Sequence, residues 1–264
     1  MKENATAINP QNSADRLIAI VDSAFRKDRS KASTEVWASV FGIEEEDAVE
    51  KQRLVSDYLS AVGAELLSIE SALAAANVPE PLHKASITRI RNAFSVGALN
   101  SKWDDHAGRH LEAETRMALR WIAYTLPKES SAASIEDVTS ILELLDDLDA
   151  QLSNGGLPAG LKVLLEKHAA EMRKAVKLFP VQGVAGLRKV VRTVLADIHL
   201  DEDEIRSATQ QGDSNKVRAV LGRFGAAFKK TAEITGDLDK ISKGTSLVID
   251  VIEAGSQLLS LPAA

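Results

Sequence analysis

"EDAVEKQRLVSDYLSAVGAELLSIESALAAA", residues 46–76, decides the fold class. Within it Val55, Tyr58, Leu59, Val62, Leu66, Ile69 and Leu73 recur at steps of three and four. That spacing lines one side of a 3.6-residue helix, so the stretch predicts a long amphipathic helix with one face in a core. The same period returns in Ile135, Val138, Leu142, Leu145, Leu148 and Leu152, and in Leu161, Leu165, His168, Met172, Val176 and Phe179. Two more stripes follow, Val184, Leu187, Val191, Val194, Ile198 and then Val217, Val220, Leu221, Phe224, Phe228, Ile234.

The punctuation agrees. All seven prolines, at positions 10, 79, 81, 127, 158, 180 and 262, fall between predicted helices or in a first turn, where a missing N–H costs nothing. Ser33 or Thr34, Ser134, and Asp201 with Glu204 read as N-terminal caps. No short window alternates apolar and polar residues between turn signals, so no sheet is expected. The prediction is an all-α fold of about nine or ten helices. "LPKESSAAS", residues 126–134, divides it into an N-terminal bundle, 12–126, and a C-terminal bundle, 135–264, which could equally pack as one domain. Residues 1–11 are polar and read as a disordered N-terminus.

Composition narrows the function classes. The 264 residues contain no cysteine, which removes thiolate metal sites, cysteine nucleophiles and disulfides. Aromatics make up only 4%, as suits helices packed through Ala and Leu. A net charge of −6 and a pI near 5.5 argue against general nucleic-acid binding. No secretory leader or membrane-length apolar run is visible, so a cytoplasmic protein is expected.

One cluster invites a metal. In "WDDHAGRHLEAE", residues 103–114, a continuous helix would set His106, His110 and Glu114 in one i, i+4 row, with Asp105 nearby. The zinc-protease pattern requires Glu directly after the first histidine, and here Ala107 stands there. The competing reading makes the row Trp103, His106, His110, Ala113, Met117, Trp121, Tyr124 the flank of a buried stripe. Asp105–Arg109 and Glu112–Arg116 would then pair along the helix, and Gly108 would admit a neighbouring backbone.

Other motifs fail on inspection. "GGLPAGLK", residues 155–162, has glycine spacing reminiscent of a phosphate loop. It lacks the preceding strand and the Lys-Ser/Thr pair, and a helical hairpin explains it. No calcium loop, nucleophile elbow or other cofactor motif is complete, so no cofactor and no small-molecule ligand are expected. His168 lies on its helix's apolar stripe and reads as a satisfied core histidine.

Charge is segregated along the chain. Residues 134–150 carry six acids and no base, whereas residues 160–192 carry eight bases against Glu166 and Glu171. Neighbouring helices with attracting outer faces would explain this. A basic partner-binding face around Arg188, Lys189 and Arg192 is the functional alternative. Its lack of stacking aromatics favours an acidic protein over nucleic acid. The C-terminal run "GTSLVIDVIEAGSQLLSLPAA" reads as an apolar helix with an acidic polar face, which suits packing into the bundle or self-association better than insertion into a bilayer.

Residues 156–198, with their Leu-Pro opening, the His168 helix and the "FPVQGVAGLRK" turn, resemble a helical hairpin in uncharacterised all-helical bacterial proteins of mobile-element or antiviral-defence loci. The resemblance implies a bacterial cytosolic setting and accessory work, and carries no catalytic residue. The leading expectation is therefore a non-enzymatic helical interaction or regulatory protein that binds a protein partner or itself. A metal-dependent enzyme built on His106, His110 and Glu114, and an effector with a membrane-active C-terminal helix, are the alternatives.

Overall fold

The computed structural model describes residues 10–129, 133–153, 155–201, 205, 207 and 214–237. The C-terminal run from Gly244, and the expected partner of the Asp201 cap, Glu204, lie outside these residues. Among the described residues the chain forms ten α-helices and no strand, an all-α fold. It divides into two units, residues 1–130 with 180–182, and residues 131–179 with 183–264.

The first unit contains α1 (Ser13–Phe25), α2 (Ser33–Phe41), α3 (Ala48–Ala75), α4 (Lys84–Ala93), the single turn α5 (Ala107–His110) and α6 (Ala113–Thr125). Helix α3 begins where Asp47 accepts a hydrogen bond from the Glu50 amide at 2.8 Å, and it buries Val55, Leu59, Val62, Leu66, Ile69 and Leu73. By length and composition alone α3 would pass for a membrane span, yet its buried row also holds Glu65, which is ion-paired. The scarce aromatics are concentrated in this unit. Trp37 stacks on Phe41 and Phe94, with centroids at 5.7 and 4.5 Å, and meets the edge of Trp103 at 5.0 Å. Ser33 and Thr34 do not cap α2: their hydroxyls donate across to the Ser101 and Leu99 carbonyls at 3.1 and 2.9 Å, and Ala32 holds the N-cap position.

The second unit contains α7 (Ile135–Ser153), α8 (Ala159–Lys177), most of α9 (Phe179–Leu200) and α10 (Ser214–Thr235). Ser134 and Asp137 cap α7 reciprocally. The serine hydroxyl accepts from the Asp137 amide at 3.1 Å, and the Asp137 carboxylate accepts from the Ser134 amide at 3.1 Å. Gly155 and Gly156, both at positive φ, make the α7–α8 turn, so the glycines of "GGLPAGLK" serve a hairpin. Helix α7 packs on both α8 and α10 through Ile141, Leu145, Leu148 and Leu152. Helix α9 is broken at Gly183 (φ 56°, ψ −150°), a conformation open essentially only to glycine. The "FPVQG" segment is accordingly a corner, and the apolar row of α9 restarts at Val184.

Candidate functional site

The histidine stretch folds differently from either sequence reading. Leu111 leaves helical geometry and Glu112 is extended (φ −62°, ψ 168°), so α5 ends at His110 and α6 starts on a new axis. His106 is the N-cap of α5 and meets the Asn92 carbonyl through Nε2 at 3.0 Å. Its ring lies 5.4 Å from that of His110, edge to face. Glu114 is not carried to the histidines by a common helix; its carboxylate lies 3.7 Å from Arg89. Burial first, then His106, Arg89 and Arg109, hold the His110 pKa below its ordinary value. Burial and these neighbours, only partly offset by Glu112, disfavour a positive charge on the imidazole. Among the described residues no three His, Asp or Glu side chains form a metal-binding group.

The buried-stripe reading also needs correction. Trp103 is buried, but Met117, Trp121 and Tyr124 are 70%, 42% and 92% exposed. The core face of α6 is Thr115, Leu119, Ile122 and Ala123. The expected local ion pairs are replaced by longer-range ones: Arg116 and Arg120 reach Asp22 at 3.6 and 3.1 Å, and Asp104 takes Arg29. Gly108 is indeed confined, though by its own turn, since a Cβ there would meet the Trp103 carbonyl at 3.2 Å.

A charged cluster absent from the sequence reading lies in the core of the first unit. Arg16, 6% exposed, donates from Nη1 to Glu129 at 2.8 Å, from Nη2 to Glu65 at 3.4 Å, and from Nε to the Val181 carbonyl at 2.8 Å. Glu65 holds the longer of the two ion-pair contacts. Burial outweighs the attraction of Arg16, and Glu129 adds repulsion, so its carboxyl is pushed up to about 6. The signal was present in the sequence: Glu65 falls in the row Val62, Glu65, Leu66, Ile69.

In the second unit most of the segregated charge is spent internally. Arg173 of α8 bridges Asp146 and Asp149 of α7, both at 2.6 Å. Arg223 and Lys230 of α10 take Asp147 and Asp137 at 2.8 and 3.2 Å. Lys167 takes Asp197 at 2.6 Å, Lys162 lies 3.7 Å from Glu166, and Lys174 and Lys177 also have partners. Arg188 is clamped as well: Nε donates to Asp237 at 3.1 Å and Nη2 to the Thr235 carbonyl at 2.7 Å, fixing the end of α10. Of the three residues expected to form the partner face, Lys189 and Arg192 alone are exposed without an ion pair among the described residues. They line a shallow concavity of about 550 Å³ with Ala185, Arg188, Thr193 and Ala196, and among the described residues no carboxylate borders it.

Two further features lie outside these clusters. His168 is fully buried, with Nδ1 at 3.4 Å from Glu171, and Nε2 lacks a hydrogen-bond partner among the described residues. It is thus less completely satisfied than the sequence suggests, and it packs 6.2 Å from the Phe224 ring. An apolar concavity of about 400 Å³ between the start of α8 and the end of α9 contains Lys167, but that amine is tied to Asp197. Neither brings a nucleophile and a base together. The chain matches no protein family, no curated protein and no solved structure.

Proposed function

We propose that this chain is a non-enzymatic helical interaction protein that presents the Lys189–Arg192 face of α9 to an acidic protein partner. The supporting observation is the charge accounting of the second unit. Its other basic residues between 160 and 192 are held by neighbours, while among the described residues Lys189 and Arg192 meet no ion-pair partner and no carboxylate lines their concavity. Exposed, uncompensated charges of one sign steer an oppositely charged surface and set its register. The absence of aromatic side chains from the face favours an acidic peptide or helix over a nucleic acid, whose bases would need stacking platforms. The resemblance carried by residues 156–198 supports a setting in the bacterial cytosol, as an accessory component of a defence or mobile-element system.

Affinity capture from nuclease-treated cells tests the reading. The native chain, Lys189→Glu with Arg192→Glu, and the control Arg218→Glu on α10 would be compared. A protein retained by the native chain and by the control, but lost from the double variant while its helical circular dichroism is unchanged, is the expected result. Identical retention by all three, or loss of retention in the native chain on nuclease treatment alone, overturns it.

A further inference from the structure

Helix α6 has two apolar faces, and among the described residues only one is packed. Thr115, Leu119 and Ile122 enter the core, while Met117, Trp121 and Tyr124 form an outward stripe at i, i+4, i+7. Single exposed apolar side chains are ordinary, but three large ones aligned on one helix, two of them aromatic, have the composition of an interface centre. We propose that this stripe is a self-association surface, on which α6 pairs antiparallel with α6 of a second copy about a two-fold axis.

The choice of a second copy rests on self-complementarity. An antiparallel pair that sets Met117 against Tyr124 of the other copy brings the two Trp121 rings together beside the axis. The methionine–aromatic and aromatic–aromatic contacts are then each made twice. In the same register Glu114, whose side chain is 87% exposed, meets the exposed Lys128 of the other copy, beyond the end of its helix. The two Arg120 side chains approach each other near the axis, and each reaches Asp22 of its own chain at 3.1 Å, a carboxylate it shares with Arg116. A parallel pair would instead place Glu114 beside Glu114. The exposed parts of the three stripe residues amount to roughly 400 Å² per copy, about 800 Å² in total and below a standard interface, so the dimer is weak, with a dissociation constant on the order of 10–100 µM.

Trp121 is a built-in reporter, because Trp37 and Trp103 are each only 1% exposed. Sedimentation velocity and iodide quenching of tryptophan emission, on the full chain from about 1 µM to about 500 µM, test the proposal across that range. The sedimentation coefficient is expected to rise with concentration while the quenchable emission falls over the same range. Met117→Lys is expected to weaken association by ~10-fold or more with helical content unchanged. Lys128→Glu weakens it less, and Glu114→Lys in the Lys128→Glu background restores it. A monomer throughout the range overturns the proposal. So does a dimer that persists unweakened in Met117→Lys, which places the contact elsewhere. Protection of Trp121 from iodide already at the lowest concentration also overturns it, because the stripe is then covered within one chain.

Discussion

Glu65→Gln should gain stability over the native chain as pH rises, because the carboxyl it replaces is held in its charged form at a cost. The Glu65 carboxyl is raised from an ordinary value of 4.5 to about 6, chiefly by burial. A folded-state pKa above the unfolded one means that the folded chain binds the proton more tightly. The resulting stabilisation is full below about pH 4.5 and is lost as pH rises through about 6. At ~1.4 kcal/mol per pH unit, this rise makes ionising Glu65 cost the first unit about 2 kcal/mol. Glutamine keeps an oxygen for Arg16 and cannot ionise, while Glu129 still neutralises the guanidinium at 2.8 Å. The stability of Glu65→Gln minus that of the native chain should therefore grow by about 2 kcal/mol between about pH 4 and about pH 7.5. Urea unfolding followed by tryptophan fluorescence measures it cleanly, since Trp37, Trp103 and Trp121 all lie in the first unit. Taking the difference between variants cancels the other titrating groups. A flat difference, or one that shrinks with pH, would show that Arg16 holds Glu65 ionised and that the burial argument is wrong.

Removing the other partner should be far more costly: Arg16→Met leaves Glu65 buried beside Glu129 without its cation, and about 3–5 kcal/mol should be lost in the same assay at neutral pH. Gly183→Ala forces a side chain into φ 56°, ψ −150°, and a loss of roughly 1–3 kcal/mol is expected by thermal unfolding. Arg188→Ala frees the end of α10 and should destabilise by about 1–3 kcal/mol, whereas Lys189→Ala should stay within about 0.5 kcal/mol; calorimetry of the pair separates a clamp from a free surface charge. Elemental analysis of untagged protein purified without chelators, beside His110→Ala, decides whether the two imidazoles hold a cation; with Glu114 on a separate helix and 3.7 Å from Arg89, we expect no stoichiometric metal in either sample.

Long helices that bury a single face were legible because one physical requirement, hiding apolar surface on one side, writes one period into the sequence. Helix α3 and the four long helices of the second unit all have this character, and their apolar rows, His168 included, can be read directly. The segment from Trp103 to Tyr124 defeats that logic in two ways. Its backbone breaks at Leu111 and Glu112 with no proline to announce it, so a row counted across the break joins side chains that belong to different axes. Beyond the break, α6 has apolar residues on opposite sides. Period alone cannot say whether Leu119 and Ile122, or Met117, Trp121 and Tyr124, face inward. The side chosen by the fold is the slimmer aliphatic one, and the aromatic side is left in solvent. Charge shows the same division. Segregation along the chain marked α7 and α8 correctly as attracting neighbours, but which bases remain free depends on where α10 and the end of α9 fall, and no linear pattern records that. The candidate partner face thus shrank from three residues to Lys189 and Arg192 only once Arg188 was seen holding Asp237 and the Thr235 carbonyl. A single sequence shows how much charge and apolar surface a chain carries, while packing decides how much is left over for a partner.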